Sequence, residues 1–416
     1  MTYEPSPSMR RLVCSCICAV AAITLAGQTQ APEISDRARQ LHARAIVIDG
    51  HADTTQRLIF DRTFNIGARN RTGNLDIPRM REGGLDAVFF SIWMPGDVTG
   101  PIAIKRALVQ IDAVREAARN YPNDLLLATA AADIRRAVAE HKIAALMGME
   151  GGHMIDRDLR VLRDYAALGV RYLTLTHFKN TEWADSSTDR PVHNGLTAFG
   201  RDVVRELNRL GVMVDISHVS DKTFYDAIAV STAPVIASHS STRALTSHAR
   251  NMTDDMLRAL ERNGGVVMIN YNAAFISEEF RIASEKRSGD VVAKMDAMSK
   301  KCGGNEACTT MEGERLDHEA MASGQLPKVN WERIIDHIDH AVKVAGVDHV
   351  GLGSDFDGAT MPLGMEDVSM LPRITDALLR KGYSEHDIEQ LLGANLLRVM
   401  EQAEQVSRQW TVRGRQ

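Results

Sequence analysis

The sequence lacks the features that mark several large classes of protein. Lysine and arginine number 49 against 54 aspartate and glutamate residues, and the basic residues form no stripe. Because the chain has a net charge of −5, nucleic acids and anionic membrane surfaces are poor candidate partners. The 416 residues contain no internal repeat and no low-complexity linker. We therefore expect one globular domain, since a single barrel with insertions reaches this length.

Long apolar runs are missing except near the N-terminus. Met9, Arg10 and Arg11 give a basic start, and an apolar run over residues 12–26 follows. This run is shorter than the ~20 residues of a membrane-spanning helix and is typical of a secretory signal. We predict that residues 1–27 are a signal peptide, cleaved on export to the bacterial periplasm, with an uncleaved anchor as the alternative. The mature chain is expected to contain no transmembrane segment.

Cysteine is scarce as well, with five residues in the chain, of which three lie inside the apolar N-terminal run. None of these three follows the run at the position of a lipoprotein cysteine, so we expect no lipid anchor. The other two are Cys302 and Cys308. Without further cysteines or histidines at metal-binding spacing they make a poor zinc site, and in an oxidising compartment they predict a local disulfide.

What the chain does have is a repeated alternation of strand and helix. Eight apolar runs recur with helix-like segments between them, and their continuous apolar cores are typical of strands covered on both faces. This order predicts an α/β fold, a (β/α)8 barrel of the TIM type with its site at the C-terminal mouth of the strands. The predicted strands are residues 45–53, 85–94, 143–152, 170–177, 211–218, 234–241, 265–272 and 349–358.

Residues 35–405 are predicted to form this single domain, with one insertion. Residues 277–328 are rich in Lys, Glu, Met and Gly, and they separate the seventh strand from its helix. We expect them to be partly helical and to lie over the barrel mouth, as a lid or as a dimer contact. Periodicity and capping residues predict helices over 198–210, 256–262, 331–344, 374–381 and 384–401.

Several predicted strands end in residue types that bind metal ions. His51 and Asp53 end the first strand, and an i, i+2 spacing in an extended chain points both side chains the same way. Glu150 ends the third strand, and His218 and His239 end the fifth and sixth. If the two oxygens of Glu150 bridge two cations, these five residues form a two-metal hydrolytic site. The alternative for Glu150 alone is a salt bridge to an arginine at the barrel rim.

Two further strand ends carry candidates for acid–base and electrostatic roles. Asp355 ends the eighth strand and is predicted to accept a proton from the attacking water. Asp357 competes for this role, because in an extended chain both carboxylates face the mouth. His177 ends the fourth strand and is predicted to stabilise a developing oxyanion as an imidazolium, with a hydrogen-bonded rim histidine as the alternative.

Seven segments in order resemble the renal (membrane) dipeptidase family, the zinc dipeptidases of animals and their bacterial relatives. The resemblance implies a (β/α)8 barrel that holds two zinc ions. His51 and Asp53 would bind one zinc, His218 and His239 the other, and Glu150 would bridge them. The matching segments are VIDGHAD, GMEGG, RYLTLTH followed by NTEWADSS, VDISHVS, SHSS, ARNMTDD and GLGSDFDG.

The resemblance also implies roles in substrate binding and proton transfer. His177 would contact the substrate and its tetrahedral intermediate, and Asp355 would orient the water and shuttle its proton. Arg250 would hold the free carboxylate of a dipeptide, since a guanidinium fork binds a carboxylate through two hydrogen bonds; an ion pair at the rim is its alternative. The implied activity is hydrolysis of dipeptides with a free C-terminal carboxylate, L-D dipeptides included.

The chain differs from the animal members, and two other functions compete. It ends in the polar sequence SRQWTVRGRQ and keeps no spare cysteine, so we expect no glycolipid anchor and a non-covalent homodimer. A different metal amidohydrolase, acting on a cyclic amide or an N-acyl amino acid, typically uses H-x-H and a carbamylated lysine. This chain has H-x-D and no lysine at the strand ends. A non-catalytic metal-binding or scaffold protein is disfavoured because every predicted ligand is present.

Overall fold

A computed structural model describes residues 34–287, 297–298 and 300–413, so the predicted signal peptide lies outside the described residues. Nine parallel strands form one sheet. The strands are β1 Ile48–Ala52, β2 Ala87–Trp93, β3 Leu125–Leu127, β4 Ile143–Glu150, β5 Val170–Thr174, β6 Met213–Asp215, β7 Ile236–Ala237, β8 Val266–Ile269 and β9 Val350–Leu352.

Eight of these strands close into a barrel, which confirms the predicted (β/α)8 fold. The order around the barrel is β1, β2, β4, β5, β6, β7, β8 and β9, and β9 pairs with β1. The sequence did not predict β3. This short strand pairs with the start of β4, on the edge that β5 occupies further along β4.

The helices cover the outside of the barrel and confirm the five that were predicted, within a few residues at most ends. Thr253 and Gly264 cap one helix as expected, and Gly264 has φ 82°. The last predicted helix is divided by a π-helical turn over Gln390–Ala394. The helices are α1 Asp36–Arg44, α2 Thr55–Phe60, α3 Ile77–Glu82, α4 Gly100–Asn120, α5 Ala131–Ala139, α6 Leu159–Leu168, α7 Ala198–Leu210, α8 Asp221–Val230, α9 Asp254–Asn263, α10 Ala273–Ile276, α11 Glu278–Lys286, α12 Glu306–Ala322, α13 Glu332–Ala345, α14 Pro372–Arg380, α15 Glu385–Glu389 and α16 Asn395–Arg413.

The described parts of residues 277–328 are partly helical, as predicted, through α11 and α12. Cys302 and Cys308 form a disulfide with their Cα atoms 5.6 Å apart, which is the predicted local pairing. Within the described ranges, no helix has both the length and the hydropathy needed to cross a membrane.

The insertion contacts loops that follow barrel strands on the mouth side. The amide of Asn305, which caps α12, donates to the backbone oxygen of Phe60 at 3.0 Å, in the segment after β1. Asp317 of α12 accepts a hydrogen bond from Thr360 at 2.9 Å, in the segment after β9. The insertion therefore lies against the rim of the barrel mouth near β1 and β9.

One aromatic ring packs in the barrel interior beneath the mouth, in space that a glycine leaves open. Tyr172 of β5 is fully buried, and its hydroxyl lies 2.7 Å from Nδ1 of His51. Its ring occupies the space beside Gly148 of β4, where an added Cβ would lie 1.8 Å from Cζ of Tyr172. Gly148 therefore leaves the room that Tyr172 needs to reach His51.

We expect Gly148→Ala to destabilise the protein by about 1–3 kcal/mol, because it overpacks a fully buried site. Gly313→Ala is a matched control on α12, since its added Cβ would meet only Met298, at 3.9 Å. Alanine there should be neutral or slightly stabilising, as is usual inside helices. Urea unfolding of both variants tests this, and equal midpoints for the two would contradict the packing argument.

Candidate metal centre and active site

The five predicted metal ligands converge at the C-terminal mouth of the barrel. His51 lies within β1, Asp53 follows it, and Glu150 is the last residue of β4. His218 and His239 lie just after β6 and β7. Each of the five is at most 6 % exposed. The fold therefore brings residues from four separate strands into one buried cluster.

Glu150 lies at the centre of this cluster and directs its two oxygens to different histidines. Oε1 lies 2.9 Å from Nε2 of His218 and 3.2 Å from Nε2 of His239. Oε2 lies 3.5 Å from Nε2 of His51, which in turn lies 3.4 Å from Oδ1 of Asp53. No lysine or arginine pairs with Glu150 in the described part of the chain, so the rim salt bridge is not found.

Two independent observations indicate that the residues of this cluster can bind divalent cations. Nε2 of His51 and Oδ1 of Asp53 are buried but have no hydrogen-bond partner, which is costly unless a cation satisfies them. Zinc ligands lie ~2.1 Å from the metal, so tetrahedral partners are roughly 3.4 Å apart, close to the distances observed here. Three overlapping groups of possible ligand atoms lie within 4.8 Å of one another, namely His51, Glu150 and His239; Glu150, His177 and His218; and His51, Asp53 and Asp355.

The charge balance of the cluster also favours bound cations. Burial raises the pKa of Asp53 to about 7, because water no longer stabilises the carboxylate. Burial acts on Glu150 in the same direction, but the surrounding imidazoles outweigh it and hold the pKa of Glu150 well below its usual range. A cation would relieve the cost of burying both carboxylates.

The backbone at two mouth positions differs from the predicted extended chain. His218 has φ 66° and Asp355 has φ 67°, both in the left-handed region that non-glycine residues rarely adopt. β6 and β9 therefore end three residues before these side chains, at Asp215 and Leu352. Such conformations concentrate at functional sites, where the surrounding structure holds them in place.

The structure separates the two candidate carboxylates after β9. Asp355 accepts a hydrogen bond from Nδ2 of Asn270 at 2.9 Å, and its Oδ1 lies 4.0 Å from Nε2 of His51. Asp357 instead accepts a hydrogen bond from the Thr54 hydroxyl at 2.5 Å. Asp355 therefore faces the cluster, whereas Asp357 is bound to the segment after β1.

His177 lies beside the cluster, but its electrostatics differ from the predicted imidazolium. Its Nε2 is 3.6 Å from Oε1 of Glu150, and its Nδ1 is buried without a hydrogen-bond partner. The centroid of its ring lies 4.4 Å from the ring centroid of Phe178, a side chain that is half exposed at the mouth. Burial lowers the pKa of His177, which favours a neutral imidazole that donates an N–H over a full positive charge.

Arg250 is buried and has no ion-pair partner within the described residues. It is 3 % exposed and donates to the hydroxyl of Ser240 at 3.3 Å and to the backbone oxygen of His239 at 3.0 Å. Burial lowers its pKa to about 10, which still leaves the guanidinium protonated at neutral pH. The carboxylates of Asp355 and Glu150 act on this guanidinium without pairing directly with it, so it remains free to bind a ligand carboxylate, and the alternative rim ion pair is not found among the described residues.

Sequence reasoning missed the polar residues that contact two of the predicted ligand histidines on the side of the ring away from Glu150. Tyr172 contacts Nδ1 of His51, and the hydroxyl of Ser238 contacts Nδ1 of His239 at 2.8 Å. Ser238 also donates to Asp215 at 2.6 Å. The sequence feature that could have pointed to these residues is a polar residue inside an otherwise apolar strand, such as Asp215 in GVMVDISH.

Comparisons with known proteins agree with this geometry. The model of the membrane dipeptidase family (peptidase family M19) matches residues 35–413. Mouse dipeptidase 3 is 34 % identical over 90 % of this chain and 68 % of its own length. Dipeptidase tcpJ of Claviceps purpurea is 34 % identical over 86 % of this chain and 77 % of its own. A metallopeptidase of Rhodobacter sphaeroides, solved with a phosphinate mimic of L-Ala-D-Ala, is 29 % identical with a TM-score of 0.71, covering 86 % of this chain and 99 % of its own.

Proposed function

Because the chain belongs to the membrane dipeptidase family and is a metal-dependent dipeptide hydrolase, we propose that it works with two zinc ions. In this proposal His51 and Asp53 would hold one ion, His218 and His239 would hold the other, and Glu150 would be shared between them. Imidazole and carboxylate ligands suit zinc. The comparisons give no support to the alternative of a different amidohydrolase.

One observation carries this proposal: the two carboxylate oxygens of Glu150 face separate sets of ligands. Oε1 lies within 3.2 Å of both His218 and His239, and Oε2 faces His51. A salt bridge or a structural hydrogen bond would not require this division. A carboxylate that bridges two cations does require it.

In this proposal, different residues around the two ions serve different steps of peptide hydrolysis. Bound zinc would polarise the scissile carbonyl and lower the pKa of the attacking water. Asp355 accepts the proton of that water and returns it to the leaving amine. The N–H of His177 donates to the carbonyl oxygen as negative charge develops there.

The proposed substrates are dipeptides with a free C-terminal carboxylate, which Arg250 binds, and L-D dipeptides are included. The Rhodobacter sphaeroides relative, solved with a mimic of L-Ala-D-Ala, supports testing this stereochemistry. The test is a panel of L-L and L-D dipeptides, a C-terminally amidated dipeptide and a tripeptide. We expect cleavage of the free dipeptides only. Equal cleavage of the amidated dipeptide would contradict the carboxylate requirement.

Arg250→Lys should lower kcat/KM for free dipeptides by about 10²-fold, because an ammonium cannot form two parallel hydrogen bonds with the carboxylate. Any residual rate on an amidated dipeptide at high enzyme concentration should change much less, since that substrate lacks the group that Arg250 binds. The two rates measured with one preparation give the comparison. An equal loss on both substrates would show that Arg250 acts on the fold or on the metal site instead.

We further propose that residues 1–27 are a signal peptide cleaved on export to the bacterial periplasm, where the enzyme acts as a non-covalent homodimer. The cysteine pair Cys302–Cys308 is consistent with an oxidising compartment. Sequencing of the mature N-terminus and light scattering of the purified protein test the two parts separately. A retained Met1, or a monomer at micromolar concentration, would contradict the respective part.

A further inference from the structure

The buried hydrogen bonds behind His239 determine which of its ring nitrogens carries a proton. The hydroxyl of Ser238 has one proton, and it lies 2.6 Å from Oδ2 of the carboxylate of Asp215, which can only accept. Ser238 therefore has only lone pairs to offer to Nδ1 of His239, which lies 2.8 Å away. It follows that Nδ1 of His239 carries the proton and that Nε2 carries a free lone pair.

Asp215 is itself held in place by several donors. The Thr174 hydroxyl donates to it at 2.5 Å, and the backbone N–H groups of Ser238 and Ser217 donate at 2.8 and 3.0 Å. Asp215, Thr174 and Ser238 are all fully buried. The orientation of Ser238 is thus fixed by a network that no solvent molecule needs to complete.

A second contact of the same kind lies behind His51. The Tyr172 hydroxyl is 2.7 Å from Nδ1 of His51, and Nε2 on the other side of the ring faces Glu150 and Asp53. The phenol oxygen has lone pairs that can accept an N–H from Nδ1, and in that arrangement Nε2 keeps a free lone pair. By contrast, Nδ1 of His218 is buried and has no hydrogen-bond partner within the described residues.

We propose that Ser238, supported by Asp215, and Tyr172 are positioning residues that hold His239 and His51 in the tautomer whose Nε2 binds a cation. The inference rests on the proposed two-metal function. Because His51 and His239 serve different ions, each positioning residue acts on one metal position only. Partners of this kind, hydrogen-bonded to a ligand histidine, are typically worth 10- to 100-fold in metal affinity.

The test is a zinc titration of the metal-free full-length protein against a competing chelator, which resolves two binding steps. We expect Ser238→Ala to weaken one step by 10- to 100-fold, and Tyr172→Phe to weaken the other step by a similar factor. The double variant should weaken both. Ser238→Thr keeps the hydroxyl and should restore affinity close to that of the unchanged protein.

A matched control is Ser241→Ala, which removes another fully buried hydroxyl from the segment after β7. Ser241 donates to the backbone oxygen of Asn270 at 3.1 Å and contacts no ligand imidazole. Both zinc affinities should be unchanged in this variant, and thermal unfolding of each metal-free variant checks that it folds. Unchanged affinities in Ser238→Ala and Tyr172→Phe, or an equal loss in Ser238→Thr, would overturn the proposal.

The same titration separates this inference from the proposed function. An unchanged protein that binds two zinc ions and cleaves dipeptides supports the function whatever the variants do. If the unchanged protein binds no zinc, the function fails, and the positioning role fails with it.

Discussion

Glu150→Gln should lower kcat/KM for a free dipeptide by about 10⁴-fold, because one substitution impairs both metal positions. Glutamine keeps the size of the side chain, but its amide nitrogen cannot bind a cation. One of the two oxygens that face His51 on one side and His218 on the other is thereby lost. The bound zinc should fall from about two equivalents to one or fewer.

The measurement combines kinetics with elemental analysis of the same preparation. Glu314→Gln is the matched control, since Glu314 is a half-buried glutamate of α12 that accepts hydrogen bonds from the Asn74 amide, at 3.4 Å, and from the backbone of Met361, and it belongs to none of the ligand groups. Its activity and zinc content should stay close to those of the unchanged protein. Two equivalents of zinc and near-normal activity in Glu150→Gln would contradict the bridging role.

Asp355→Asn should lower kcat by about 10³-fold and leave KM and zinc content almost unchanged, since an amide cannot accept the proton of the attacking water. Asparagine preserves the shape of the side chain, so the contact with Asn270 need not be lost. A loss confined to kcat identifies a group that acts in the transition state and not in substrate binding.

Asp357→Asn is the control that the neighbouring position offers. Asp357 accepts hydrogen bonds from Thr54 and from the backbone N–H of Asn74 and belongs to none of the ligand groups, so its replacement should affect stability more than kcat. Steady-state kinetics and thermal unfolding of both variants decide between them. Equal losses of kcat at positions 355 and 357 would return Asp357 to the set of candidate bases.

The barrel was predictable from sequence because its signal repeats eight times. Each barrel strand is buried on both faces, which yields a continuous apolar run that local reading detects. β3 was not predicted because Leu125–Leu127 is only three residues long and follows the long helix α4. Its strand conformation depends on pairing with β4, which is a tertiary contact.

Strand ends were less predictable than strand centres. The sixth strand was predicted over residues 234–241, whereas in the structure the corresponding strand, β7, covers only Ile236–Ala237. The residues that follow leave the sheet so that His239 and Ser238 can reach the site. Likewise, nothing local in GLGSDFDG shows that Asp355 adopts a positive φ or that Asp357 bonds to Thr54.

Residue type and strand position were enough to select the ligand candidates, because histidines and carboxylates ending apolar strands are conspicuous. The residues behind them were not, since contacts such as Tyr172 with His51 join β5 to β1 across the barrel. Such contacts depend on side-chain packing, here on the space beside Gly148. Sequence therefore indicated which residues to propose for the site, and the structure showed that they converge and which side chains lie behind them.

The most direct test of the two-metal proposal is the activity of the metal-free protein as zinc is added in measured equivalents. We predict that dipeptide hydrolysis rises until about two equivalents per chain are bound and then stays constant, with the bound zinc confirmed by elemental analysis. Full activity at one equivalent, or activity that persists in the metal-free protein, would contradict the two-metal site centred on Glu150.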